Sequence, residues 1–459
     1  MAALFLSSLK DLDYSEEYIF DILQSYSKSD FPNDSLKHKK SIGIVGFGAM
    51  GKLYTQKLAS ESYTVNVCDT IENYEKNSIY VSTSTNREFI KLCKNAQEVI
   101  MNSDYIMFCT EAHIITDILE NIKDKTVFRN KTIGGQASSK SKEVLCFLQF
   151  KKKNKLSDLN IICLHNMHGP NVPSKNQNLA IIPVSINSTT DLFFVDDFTD
   201  VFESRKHYMT FLQHDKTTAN TQGLTHCVFI NMGRAWFNMG KYPWLYDSNN
   251  TNPLEVVKVN LTFRIFGNNS HIYSNLAIMN PFSKNYIKLF GENVQKINER
   301  IESQEDGDLL FCEFKEMFSQ VFDKDVNYFS LLGIDDTPVP YDNDENTHLS
   351  LLALLKTWHD CHIDPIKDMQ LGTPLYKLLL QAVIKLFFNE PLLQVATKSI
   401  KYSEDDKMYV SSVLQYADNI MNEDRLNFDK DFVQVVEFFK GDEMEQVKQK
   451  AQDMILKLK

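Results

Sequence analysis

The stretch SIGIVGFGAMGKL, residues 41–53, is a short apolar run that breaks into glycines at 46, 48 and 51. Apolar residues without alternation read as a strand buried on both faces. The following GKLYTQKLAS has the spacing of an amphipathic helix, and a second strand-like run, TVNVCD, ends at Asp69. A glycine-rich turn between a strand and a helix, with a carboxylate about 20 residues on, is the signature of a dinucleotide cradle. Gly46 serves the tight turn, Gly48 lets the backbone approach a pyrophosphate, and Gly51 lets the helix pack on the sheet. With Ala49 and Met50 they open a helix whose amino terminus faces the negative charge. Asp69 stands where a carboxylate accepts hydrogen bonds from the ribose 2′-hydroxyl, which by itself favours NAD over NADP.

Outward from this motif the pattern repeats. SDYIMFCT, KTIGG, LNIICLH and LAIIPVS are further strand-like runs separated by mixed segments, as expected for βαβ units and a mostly parallel sheet. Beyond about residue 213, long stretches carry helical spacing and few strand signals. The expected architecture is an α/β Rossmann domain followed by an all-α C-terminal domain. The expected boundaries are a polar extension at 1–38, the dinucleotide-binding domain at 39–212, a helical substrate-binding and dimerisation domain at 213–330, and a further helical region at 331–459. SEEYIFDILQSY predicts one short helix in the extension, and residues 330–347, rich in Asp, Asn and Pro, predict a linker or long loop.

Bulk composition narrows the function classes. The 459 residues are 43% hydrophobic and carry a net charge of −11, which argues against a nucleic-acid partner. KKKNK at 151–155 is too short to reverse that balance and reads as a solvated loop. Eight scattered cysteines, with no C-x-x-C pair, argue against a metal site or a disulfide framework and fit a reducing compartment. The N-terminus has the features of neither a signal nor a transit peptide, and no apolar run reaches the roughly 18 residues that span a bilayer. A soluble, cytoplasmic protein with no membrane partner is expected.

The stretch that separates one dehydrogenase from another is IICLHNMHGPNV, residues 161–172, where a strand delivers His165 directly before Gly169 and Pro170. Together with GGQASSK (134–140), HDKTTANTQGLTH (214–226) and VKVNLTFRIFG (257–267), it closely resembles prephenate dehydrogenase in its fungal form. The resemblance implies oxidative decarboxylation of prephenate to 4-hydroxyphenylpyruvate and CO2 with hydride transfer to NADP, in tyrosine biosynthesis, by a homodimer. It places His165 as the catalytic base and Ser138 as the hydroxyl that bonds the same substrate oxygen and holds His165. Ser139 and Ser141 are adjacent candidates for that second role. Arg264 matches the family's carboxylate clamp and His226 a substrate-pocket histidine. The chemistry suits these types: imidazole titrates near neutrality, and guanidinium binds carboxylate bidentately.

Arg264 lies among Val257, Val259, Leu261, Phe263, Ile265 and Phe266, so it needs an anion, either substrate or an internal Asp or Glu. His214 and Asp215 read as the start of a helix that they cap, and His168 stays outside the chemistry. The resemblance favours NADP, whereas Asp69 leaves NAD open. Two rival readings are a β-hydroxyacid dehydrogenase of the 6-phosphogluconate type and a non-catalytic dinucleotide-binding scaffold. In the dimer reading, LTHCVFINMGRAWF (224–237) is the buried face between copies, with packing inside one chain as its alternative.

Overall fold

The apolar run that opens the motif is a strand buried at all four positions, Ile42–Val45. In the computed structural model it is β1 of an eight-stranded sheet with β2 (Val65–Cys68), β3 (Ile90–Leu92), β4 (Tyr105–Phe108), β5 (Thr132–Gly135), β6 (Asn160–Asn166), β7 (Asn178–Ser185) and β8 (Arg205–Tyr208). The structure describes residues 9, 11–30, 40–170, 172–187, 189–246, 253–303, 307–334, 348–398 and 404–457. The expected linker at 330–347 lies for the most part outside the described residues. The chain divides into two compact units, Met1–Lys216 and Thr217–Lys459.

In the first unit the strand order is β3-β2-β1-β4-β5-β6-β7-β8. Neighbours run parallel except β6 and β7, which pair antiparallel from Ile161↔Ser185 to Asn166↔Leu179. The order reverses between β1 and β4, and ligands of such sheets sit beyond the carboxyl ends of the strands at that switch point. Two strands were not foreseen. β3 is only three residues long, and β8 is the polar RKHY with Arg205 exposed. Short, polar edge strands carry little of the apolar signal by which strands are recognised.

Helices of eight residues or more are numbered here. In the first unit they are α1 (Glu16–Ser25), α2 (Ala49–Ser60), α3 (Tyr74–Thr83), α4 (Ala112–Asn121), α5 (Ser141–Lys153), α6 (Thr189–Thr199) and α7 (Phe211–Thr218), whose last two residues belong to the second unit. Tyr54 and Leu58 of α2 and Leu192, Phe194 and Phe198 of α6 join Ile42, Ile44, Val65 and Val67 in one core. The basic run at 151–155 is not a loop throughout. Lys151, Lys152 and Lys153 close the last turn of α5, where cations complement the helix dipole. Lys151 donates to the Leu159 carbonyl at 2.6 Å and to Ser185 Oγ at 2.8 Å.

The polar N-terminal extension contributes a docked helix. Ser15 caps α1 by accepting from the Tyr18 amide, and Ile19 is buried in the core just described. Tyr26 donates to Asp196 Oδ2 at 2.8 Å, Tyr14 packs edge-on against Phe211, and Thr210 Oγ1 bonds Glu16.

The second unit is helical: α8 (Thr225–Asn238), α9 (Pro253–Phe266), α10 (Ser270–Met279), α11 (Pro281–Glu302), α12 (Gly307–Val321), α13 (Leu349–Asp360), α14 (Pro374–Phe388), α15 (Glu390–Lys398), α16 (Glu404–Met421), α17 (Arg425–Phe439) and α18 (Asp442–Lys457). A π-helical turn, Ala219–Leu224, leads into α8. The segment 224–237 packs inside this unit. Leu224, Cys227, Val228, Phe229 and Ile230 are buried, with α8 against α9 and α16. It is therefore not available as the face between copies that the dimer reading assigned to it. Among the described residues no single helix is long and apolar enough to cross a membrane.

Candidate active site

At the glycine turn, Gly46 has φ +100°, a conformation that side chains rarely adopt. A Cβ on Gly51 would lie 2.2 Å from the Gly46 carbonyl oxygen, so no other residue lets α2 approach β1 this closely. At Gly48, the N-cap of α2, a Cβ would meet nothing within 4 Å. The turn therefore leaves open space in front of a helix N-terminus, with Ala49 and Met50 in its first turn, which fits a pyrophosphate.

Asp69 is engaged otherwise than the sequence reading held. Its Oδ2 accepts from the Phe47 amide at 2.7 Å, and its Oδ1 accepts from the Thr70 amide at 2.7 Å and from Asn73 Nδ2 at 3.0 Å. The carboxylate thus ties the glycine turn to the end of β2. Its presence there is explained without a ribose, which removes the reason for taking it as a mark of NAD.

β6 delivers His165 at its carboxyl end, buried with the rest of the strand. Its Nδ1 lies 2.8 Å from Nε2 of His214, and Nδ1 of His214 lies 2.8 Å from Oδ1 of Asp215. Asp215 also accepts from the amides of Lys140 (2.8 Å) and Ser141 (2.7 Å) and from Ser141 Oγ (2.6 Å). Ser139 Oγ donates to it at 3.4 Å. His214 and Asp215 do not cap the helix. α7 begins earlier, where Thr210 and Gln213 exchange backbone-to-side-chain hydrogen bonds. Two of the three candidate serines are thereby committed to Asp215. Ser138 is half-buried and makes no hydrogen bond among the described residues, to His165 or to any other group.

Burial, His214, Lys140 and His168 all push His165 well below the usual histidine range, so its resting form is neutral. Burial also lowers His214, against the pull of Asp215. Burial raises the Asp215 carboxyl, but the His214, Ser141 and Lys140 hydrogen bonds outweigh it and keep the group ionised. Beneath the site, Lys140 and Glu143 form a fully buried ion pair at 2.8 Å. Glu143 also accepts from the Ala137 amide at 3.0 Å, so the pair braces the turn after β5. A parallel network joins Gln136, Tyr54 and Asn166, and Asn166 reaches His168 at 3.1 Å.

In the second unit, α8 carries His226 and α9 carries Arg264. His226 follows the π-helical turn that contains Gln222, a distortion common at functional sites. Its ring packs edge-on against Tyr273, centroids 4.8 Å apart, and burial pushes its pKa down to about 3. Burial raises the Tyr273 phenol to about 12, partly offset by Asn268 and by the charge of Arg264. Two buried polar atoms here have no hydrogen-bond partner among the described residues: Nδ1 of His226 and Nε of Arg264. No described carboxylate pairs with Arg264, so the internal Asp or Glu that the sequence left open is not there.

Comparison with known proteins gives consistent relatives. Residues 223–459 match a family model described as a 6-phosphogluconate dehydrogenase C-terminal domain, of the type found in the tyrosine-pathway dehydrogenases. The prephenate dehydrogenase [NADP(+)] of Saccharomyces cerevisiae is 31% identical over 428 residues, 88% of this chain and 90% of that one. The probable prephenate dehydrogenase [NADP(+)] of Schizosaccharomyces pombe is 30% identical over 425 residues, 88% and 94% of the two chains. Among solved structures, prephenate dehydrogenase from A. aeolicus in complex with hydroxyphenyl propionate and NAD+ is similar at TM-score 0.45 and 16% identity, covering 58% of this chain and 93% of that one. At this identity and extent of overlap with the two yeast enzymes, the chain belongs to the prephenate dehydrogenase family.

Proposed function

We propose that this protein is an NADP-dependent prephenate dehydrogenase, converting prephenate to 4-hydroxyphenylpyruvate and CO2 on the route to tyrosine. The single observation that carries the chemistry is the buried, neutral His165 at the carboxyl end of β6. A base held neutral can accept the proton of the substrate's C4 hydroxyl at physiological pH. Ser138, with its hydroxyl uncommitted, is the donor for the same oxygen. Arg264 and His226 supply the orphaned Nε and Nδ1 that a substrate carboxylate and its neighbouring oxygen would satisfy. Gly46, Gly48, Ala49, Met50 and Gly51 would hold the coenzyme pyrophosphate, with Asp69 locking their turn. When bound, the oxidised nicotinamide supplies the acceptor for the hydride leaving C4. The protein's own task is to take the hydroxyl proton and neutralise the carboxylates until CO2 departs and the ring becomes aromatic.

The NADP preference rests on the yeast relatives and on the engagement of Asp69 by protein donors. A cytoplasmic location fits the unpaired cysteines. A homodimer is supported by Leu426 and Val433, exposed on one face of α17, which is to be checked by sedimentation. The deciding assay follows absorbance of reduced nicotinamide with prephenate and each coenzyme. Turnover with prephenate and NADP is expected. Turnover with 3-hydroxy acids instead would favour the β-hydroxyacid dehydrogenase reading, and none with any substrate the scaffold reading.

A further inference from the structure

His214 and Asp215 are both completely buried, and the helix that carries them is already capped without them. An imidazole and a carboxylate removed from water are unfavourable unless their hydrogen bonds are organised. The direction of each bond is dictated from the far end. Asp215 receives Lys140 N, Ser141 N, Ser141 Oγ and Ser139 Oγ, all donors, and an ionised carboxylate only accepts. Nδ1 of His214 must therefore carry a proton and donate to Oδ1. Nε2 of neutral His214 then holds a lone pair, and Nδ1 of His165, 2.8 Å away, must donate to it. The lone pair of His165 is left on Nε2.

We infer that His214 and Asp215 are positioning residues for the reaction: they hold His165 in its Nδ1–H tautomer, make Nε2 the atom that accepts the substrate proton, and take up the charge that results. The substrate O–H bond breaks as a bond forms between the proton and His165 Nε2. The His165 Nδ1–H bond breaks as His214 Nε2–H forms. The O–H electron pair becomes the C=O bond as hydride leaves C4 for the oxidised nicotinamide. His165 ends neutral in its other tautomer, and His214 ends as an imidazolium against the Asp215 carboxylate.

The surroundings favour that final placement. His165 faces Lys140 and His168, so a positive charge there is opposed. His214 faces Asp215 at 2.8 Å and also feels Glu143, with Lys140 the one cation against it. In a water-poor interior, a contact ion pair is far stronger than in solvent. This inference rests on His165 being the base, but the tautomer it requires is a property of the resting protein.

The test is histidine-selective 15N labelling of the full chain, reading long-range 1H–15N correlations without substrate, with His165→Asn to assign the signal. His165 is expected protonated at Nδ1 and bare at Nε2. In His214→Phe, which removes the acceptor, the population should move towards the Nε2–H form. An Nε2–H tautomer in the unaltered protein, or no change in the variant, overturns the inference whether or not prephenate is the substrate. In turnover, His214→Phe and Asp215→Asn should lower kcat by about 10²–10⁴-fold, with the KM for prephenate little changed. His214→Gln separates holding from charge uptake, because its amide oxygen can accept from Nδ1 but cannot take a proton. It should keep the tautomer and still lose at least about tenfold in kcat, whereas full activity would overturn the proton transfer to His214.

Discussion

The Asp69 carboxylate accepts the amide of Phe47 at 2.7 Å, so the residue that closes β2 holds the glycine turn that follows β1. Asp69→Ala is expected to weaken NADP and NAD alike, by about tenfold, since a lost charged hydrogen bond amounts to roughly 1.5–3 kcal/mol. Coenzyme titration followed by nicotinamide or protein fluorescence measures this. A loss confined to NAD would return Asp69 to the ribose.

Gly51 tests the same turn sterically. Its missing Cβ would sit 2.2 Å from a backbone oxygen that has no soft way to yield. Gly51→Ala should lower stability by about 1–3 kcal/mol and weaken coenzyme binding, read as a drop in Tm and the loss of a coenzyme-induced rise in Tm.

Arg264 has no protein anion among the described residues. Arg264→Ala should therefore reduce kcat/KM for prephenate by about 10–100-fold while leaving coenzyme affinity intact. Arg264→Lys should restore little, because an ammonium lacks the planar fork that grips a carboxylate. Unaltered steady-state kinetics in Arg264→Ala would remove it from the substrate site.

His226 makes stability depend on acid. Burial lowers its pKa to about 3, while the unfolded chain's imidazole titrates near about 6.5. Between those values the unfolded state binds the extra proton, so stability falls as pH drops from about 6.5 towards 3. The slope from this residue is up to about 1.4 kcal/mol per pH unit, and His165 and His214, lowered by the same burial, add to it. Denaturant midpoints from pH 6.5 to 4 should fall less steeply in His226→Asn. An equal slope would mean that the folded protein already carries that proton.

The N-terminal helix bears on the site through one residue. Thr210 receives the Gln213 amide at the start of α7 and bonds Glu16 of α1. Thr210→Val removes both contacts and should destabilise the protein by about 1–2 kcal/mol, with a fall in kcat because His214 and Asp215 ride on the same helix. A loss of stability with unchanged kcat would show that α7 keeps its register without its cap.

Much of the frame was legible because it depends on near neighbours in the chain. The glycine spacing, the apolar run to His165 and the helical period of 253–266 each report a local periodicity that burial enforces. The prediction failed where the signal was weak or shared. β3 and β8 were too short or too polar, and three lysines at the end of α5 looked like a solvated loop until the helix dipole accounted for them.

From the order of residues alone came the Rossmann turn, the helical second half, and the candidates His165, Ser138, Arg264 and His226. The partners of those residues came only from the tertiary structure. His165 and His214 are 49 positions apart, and no periodicity links a strand end to a helix that follows two strands later. Asp69 shows the same limit. Its position in the motif could be read from the chain, but whether its lone pairs meet a ribose or a backbone amide depends on how closely β1 and β2 bring the two turns together. Hydrogen bonds are short-ranged and directional, so their partners are decided by packing rather than by sequence.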